Sequence, residues 1–87
     1  MSRIVKRDRR LDHLAESERE VLKRLGARIS DVRVNRAEQT LATLAAVAGV
    51  DPSYLGELER GRANPSIAVV SRIAKALNVS LLDLMAE

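Results

Sequence analysis

The chain has 87 residues, enough for one small domain, and 46% of them are hydrophobic. It has no Cys, Phe or Trp, one Tyr and one His, so disulfides, thiolate metal sites, a cysteine nucleophile and multi-histidine sites are excluded or improbable. The net charge of +3 is unevenly placed: residues 1–10 carry five basic side chains against one acidic, a local +4, and the other 77 residues sum to −1.

A core without Phe or Trp must be Leu, Ile, Val and Ala, which suits packed helices better than a sheet. No apolar run approaches the roughly 20 residues needed to span a membrane. The basic start is not followed by an apolar signal core. A soluble, cytoplasmic protein with no membrane partner is expected.

In chain order, residues 1–16 read as a basic N-terminal arm carrying Arg3, Lys6, Arg7, Arg9 and Arg10, with room for a turn of helix over Leu11–Ala15. Such a charge on a near-neutral body suits nucleic acid. The domain proper is expected over 17–87. Ser17 and Glu20 fit a capping box at the start of helix one. Val21, Leu22, Leu25, Ile29 and Val32 make its apolar stripe, and it runs to about Asn35. Gly26 inside it costs about 1 kcal/mol against Ala, unless a neighbour needs the space.

Arg36 to Gln39 is a polar connection. Thr40 is the predicted N-cap of helix two, LATLAAVA, which Gly49 ends. Asp51 caps helix three, Pro52 takes its first position, and Gly61 follows its last residue, Arg60. Leu55 and Leu58 face inward. Asn64-Pro65-Ser66 is a turn, and Ser66 caps helix four, with Ile67, Val70, Ile73, Ala74 and Leu77 as its stripe and Asn78 at its end. Ser80 caps the last helix, with Asp83 in its first turn. No strand pattern, internal repeat or low-complexity segment is present, so the fold class is all-α.

Helices two and three, of about eight residues each, are joined so tightly that they must cross at a large angle, as in a helix-turn-helix. Ala45 is small where helix three passes, Gly49 permits a left-handed turn, and Leu55 and Leu58 pin helix three from beneath. The outward face of helix three is then free to enter a DNA major groove.

Thr40, Leu44-Ala45, Ala48-Gly49-Val50, Ser53-Tyr54-Leu55, Leu58-Glu59-Arg60-Gly61, Asn64-Pro65-Ser66, Ile73 to Leu77 and Val79-Ser80-Leu81 fall in the order found in one family. With Leu25 and Ile29 of helix one, the chain resembles the lambda-repressor-like (Cro/Xre-type) helix-turn-helix family over about residues 20–85. The resemblance implies a five-helix domain, usually dimeric, that binds inverted repeats. Carried over by position, it places Pro52, Ser53, Gly56 and Glu57 toward bases, and Thr40, Leu41, Tyr54, Arg60, Arg62 and Asn64 toward phosphates. It also implies an ion pair between Arg33 and Glu59.

Two departures stand out. The family commonly has Gln where this chain has Leu41, so only a backbone amide is left there for a phosphate. The stretch from Arg33 to Leu44 is one residue longer than usual.

With Pro52 and Gly56 in the base-facing set, direct readout is expected to be thin, leaving part of the specificity to DNA shape. The arm is expected to bind DNA alongside the helix-turn-helix. The apolar last helix, with Leu81, Leu82, Leu84 and Met85, is expected to form a homodimer interface. The function expected is a sequence-specific DNA-binding transcription regulator, as in phage repressors, restriction–modification controllers or autoregulating antitoxins. The alternative is an antitoxin or adaptor whose main partner is another protein. No nucleophile–base pair or phosphate-cradling glycine loop appears, so an enzyme is not expected, nor a metal, a cofactor or a small-molecule ligand.

Overall fold

Oxygen-bearing side chains open four of the five helices in the computed structural model, which describes residues 11–86. The arm cations Arg3, Lys6, Arg7, Arg9 and Arg10 lie outside the described residues. Helix α1 spans Glu16–Asp31, α2 Leu41–Ala48, α3 Pro52–Glu59, α4 Ile67–Ala76 and α5 Leu81–Met85, with no strand among the described residues. Thr40 accepts from the Thr43 amide at 3.0 Å, Asp51 from Tyr54 at 3.0 Å and Ser66 from Val69 at 3.1 Å. At α5 the exchange is reciprocal: Ser80 accepts from the Asp83 amide at 3.0 Å, and the Asp83 carboxylate accepts from the Ser80 amide at 3.2 Å.

Helix α1 starts differently from the expectation. Ser17 is not its cap; the helix begins at Glu16, with Ala15 in the cap position. The Glu18 carboxylate accepts from the Ala15 amide at 2.8 Å, while Glu20 pairs with Lys23 at 3.5 Å. The shift has a local cause. A tight turn at Leu11–Leu14 precedes the helix, and Arg19 Nη1 donates to the Leu14 carbonyl at 2.8 Å and the Leu11 carbonyl at 3.3 Å. The chain is thereby drawn into helical geometry before Ser17.

Past Asp31 the chain goes on winding rather than looping. A π turn, Val32–Arg36, continues α1. The Ala37 amide donates to the Val32 carbonyl, five residues back, at 2.9 Å. The connection then reverses through Glu38, whose φ of 54° is left-handed. Left-handed residues also end α2 (Gly49, φ 73°), follow α3 (Gly61, φ 75°) and follow α4 (Asn78, φ 60°).

The core is aliphatic, as composition requires. Ile29, Leu44, Leu55, Leu58, Ile73 and Leu84 are its largest enclosed side chains. Helix α3 packs on α1 and α2, α4 on α2 and α5, and α5 returns to α1. Arg28 Nε reinforces that closure by donating to the Asp83 carbonyl at 3.0 Å. Two stripe residues differ from expectation: Ile67, the first residue of α4, is exposed, and Val21 is partly so at the edge of its stripe.

Candidate nucleic-acid interface

The turn between α2 and α3 is closed by the Val50 amide donating to the Ala45 carbonyl at 2.9 Å. Ala45 itself is fully enclosed, so any longer side chain there would hold the two helices apart. Leu55 and Leu58 turn the inner side of α3 into the core, which leaves Pro52 and Ser53 exposed on its outer side.

The C-terminal end of α3 is seated on α1 by three contacts. The first is close backbone approach at Gly26: a Cβ there would lie 2.6 Å from the Glu59 carbonyl oxygen, and closer still to that of Leu58. This is the neighbour that needs the space. The second is Gly61, where a Cβ would meet Lys23 Cα at 2.8 Å. The third is the pair read from the resemblance: Arg33 Nε and Nη2 hold the two Glu59 oxygens at 2.7 and 3.0 Å, with the side chains only 14% and 10% exposed. The hydrogen bond to Glu59 raises the Arg33 pKa further above the usual guanidinium value, against the opposing effect of burial. Arg33 Nη1 also donates to the Gln39 carbonyl at 2.9 Å, so one side chain locates both α3 and the approach to α2.

On the outer side of α3, Glu57 is half-buried, and its Oε2 lies 3.3 Å from Arg60 Nη1 and 3.9 Å from Arg62 Nη1. Gly56, also expected to face bases, is buried in the free protein. A Cβ there would lie 3.2 Å from Arg60 Nη1 and 3.6 Å from Leu41 Cδ2, so those two side chains cover it. Periodicity alone puts residue 56 on the outer side and does not foresee a long side chain folding back over it.

Thr40 is exposed beside half-buried Leu41, at the start of α2. Tyr54 is half-buried against the core, and Arg60 and Arg62 are exposed. Asn64 is set apart from this group: it lines a shallow groove with Leu14, Glu18, Val21 and Leu22 of the α1 side.

The residues expected at a dimer interface divide. Leu84 is 1% exposed and belongs to the core, a correction enforced by the phase of α5 against α1 and α4. Leu81 is half-buried against the same core, whereas Leu82 is 78% and Met85 40% exposed. Among the described residues no cluster of His, Cys, Asp or Glu could hold a metal, and no helix is long and apolar enough to cross a membrane.

This geometry recurs in known proteins. The helix-turn-helix family HTH_3 matches residues 29–84. The immunity repressor protein of Bacillus phage phi105 is 35% identical over 63 residues, covering 72% of this chain. The chain spans only 43% of that repressor's length. The restriction–modification controller protein C.AhdI of Aeromonas hydrophila is similar in structure, with a TM-score of 0.69 and 32% identity over 75% of this chain and 96% of its own. SinR, a master regulator of biofilm formation from Bacillus subtilis solved in complex with DNA, aligns with a TM-score of 0.67 and 36% identity over 71% of this chain and 98% of its own. With its five helices, its tight α2–α3 turn and a seated α3, the chain belongs to the HTH_3 family of helix-turn-helix DNA-binding transcriptional regulators.

Proposed function

We propose that this chain regulates transcription by binding an inverted-repeat operator as a homodimer, with the N-terminal half of α3 in the major groove. The observation that carries the reading is the mounting of α3. Its C-terminal end is fixed to α1 by backbone contact and a bidentate ion pair, while Pro52 and Ser53 at its other end stand open. In this reading Ser53 donates to or accepts from a base edge, and Glu57 accepts from a cytosine amino group. Thr40, the Leu41 amide, Tyr54 and Arg62 hold phosphates, which sets register without reading sequence. The basic arm adds phosphate or minor-groove contacts. Exposed Leu82 and Met85, with Leu81 beside them, cover one another across a two-fold axis, placing two α3 helices about 34 Å apart, one DNA turn.

Selection from random duplexes tests the reading. Enrichment of an inverted repeat is the expected result; weak binding without sequence preference would refute a specific regulator. Deleting residues 2–10 should lower affinity and flatten the salt dependence by about 0.9 per lost phosphate contact. An unchanged slope would remove the arm from the interface.

A further inference from the structure

The recognition face has an unfilled position at its centre, Gly56, and a long cation lying over it. We propose that Arg60 reads a guanine from that position, with Glu57 as its positioning residue. The inference rests on the DNA-binding reading above and moves Arg60 from phosphate holder to base reader.

Helical side chains lean toward the N-terminus of their own helix, so a residue covers the surface over the preceding turn. Arg60, four residues after Gly56, follows this rule. Its Nη1 lies 3.2 Å from where a Gly56 Cβ would be, so the guanidinium has slid back toward the end of α3 that enters the groove. A side chain at residue 56 would deny it that place. Leu41 Cδ2 bounds the slot on the other side, 3.6 Å from the same point. Glu57 Oε2 fixes the head at 3.3 Å. Arg60 nevertheless remains 60% exposed, and its other guanidinium donors have no partner among the described residues. A guanine presents two acceptors, O6 and N7, to the major groove, and its cytosine presents one donor beside them. A guanidinium fork next to a carboxylate is the complementary arrangement, two donors beside one acceptor. The thin base-facing set is thus supplemented by a residue from the far end of the helix.

The test compares operator preferences, obtained by selection from random duplexes, for the wild-type chain, Arg60→Lys and Gly56→Ala. Lysine keeps the charge and loses the fork. Arg60→Lys should therefore relax the preference for one G·C pair in each half-site by about 5- to 150-fold, leaving other positions unchanged. Gly56→Ala should weaken the same position while keeping or raising thermal stability, since alanine is the better helix former and only the flexible tip of Arg60 must give. A base preference identical in all three proteins, with affinity lowered evenly, would make Arg60 a phosphate contact and overturn the proposal. A wild-type chain that enriches no sequence would overturn it together with the reading it rests on.

Discussion

Replacing Gly26 with alanine sets two opposed effects against each other. Alanine in a helix interior is favoured over glycine by about 1 kcal/mol, so propensity alone predicts a more stable protein. The structure predicts the reverse. The new methyl would sit 2.6 Å from the Glu59 carbonyl oxygen and 2.8 Å from its carbon, and closer to the Leu58 carbonyl. These are backbone atoms of a helix end and cannot rotate aside, so α3 must lift from α1. Overpacking typically costs 1–3 kcal/mol, and an unyielding neighbour puts this site at about 3 kcal/mol. Subtracting the propensity gain leaves a net loss of about 2 kcal/mol, which in a domain of this size lowers Tm by about 8–16 °C. Lifting α3 also strains the Arg33–Glu59 pair, whose 2.7 Å bond spans the same seam. Thermal melts followed by circular dichroism, with urea titration to check that m is unchanged, measure the effect. A Tm equal to or above that of the wild type would refute the account of the seam.

Arg33→Ala leaves Glu59 nearly enclosed and unpaired, which should cost about 3 kcal/mol in urea unfolding, and a double-mutant cycle with Glu59→Ala should show strong coupling. Because interaction with Glu59 raises the Arg33 pKa, the folded protein keeps the proton more tightly than the unfolded one. The contribution of Arg33 is therefore fully present below its unfolded pKa and is lost only above it, so raising pH from 7 to about 10 should leave the cost of Arg33→Ala unchanged. Gly49→Ala and Gly61→Ala both strain a left-handed backbone, but nothing lies within 4 Å of a Cβ at 49, whereas Lys23 Cα is 2.8 Å from one at 61. The first should cost about 1–2 kcal/mol in chemical unfolding and the second distinctly more. Leu84→Ala should lose about 2–5 kcal/mol of stability, whereas Leu82→Ala should melt within about 0.5 kcal/mol of wild type at matched monomer and shift sedimentation toward the monomer.

Punctuation was the most readable layer of this sequence. Thr40, Asp51, Ser66 and Ser80 bind their own helix amides, and Gly49, Gly61 and Asn78 take the left-handed conformation, because these are local effects that a few neighbouring residues decide. Ser17 shows the limit of such signals: its pattern with Glu20 is sound, but Arg19 gathers the preceding turn and starts the helix earlier. The π turn at Val32–Arg36 was not legible in the stretch from Arg33 to Leu44, whose length gives no sign of how the chain is wound. Stripe membership of Val21 and Ile67 could not be decided from period alone, since exposure at the edge of a stripe depends on how the other elements pack over it. Leu84 and Leu82 pose the same problem in a five-residue helix, too short for its period to fix its phase. Gly26 and Gly56 both read as glycines in helices. Only three dimensions separate one that admits a backbone from one that lies under an arginine tip.

The seating of α3 also has a mechanical side. The helix is held at its C-terminal end, and Pro52 and Ser53, proposed to face the groove, stand at the other, about 10 Å away at 1.5 Å per residue. It behaves as a short lever whose pivot is the Gly26 seam. A tilt of about 5° at the pivot carries the tip through about 1 Å, enough to take a hydrogen bond to a base edge out of range. Under the proposed function, discrimination between operators would then be governed in part by residues of α1 on the far side of the seam, and substitutions there should change which sequences are preferred as well as how stable the fold is.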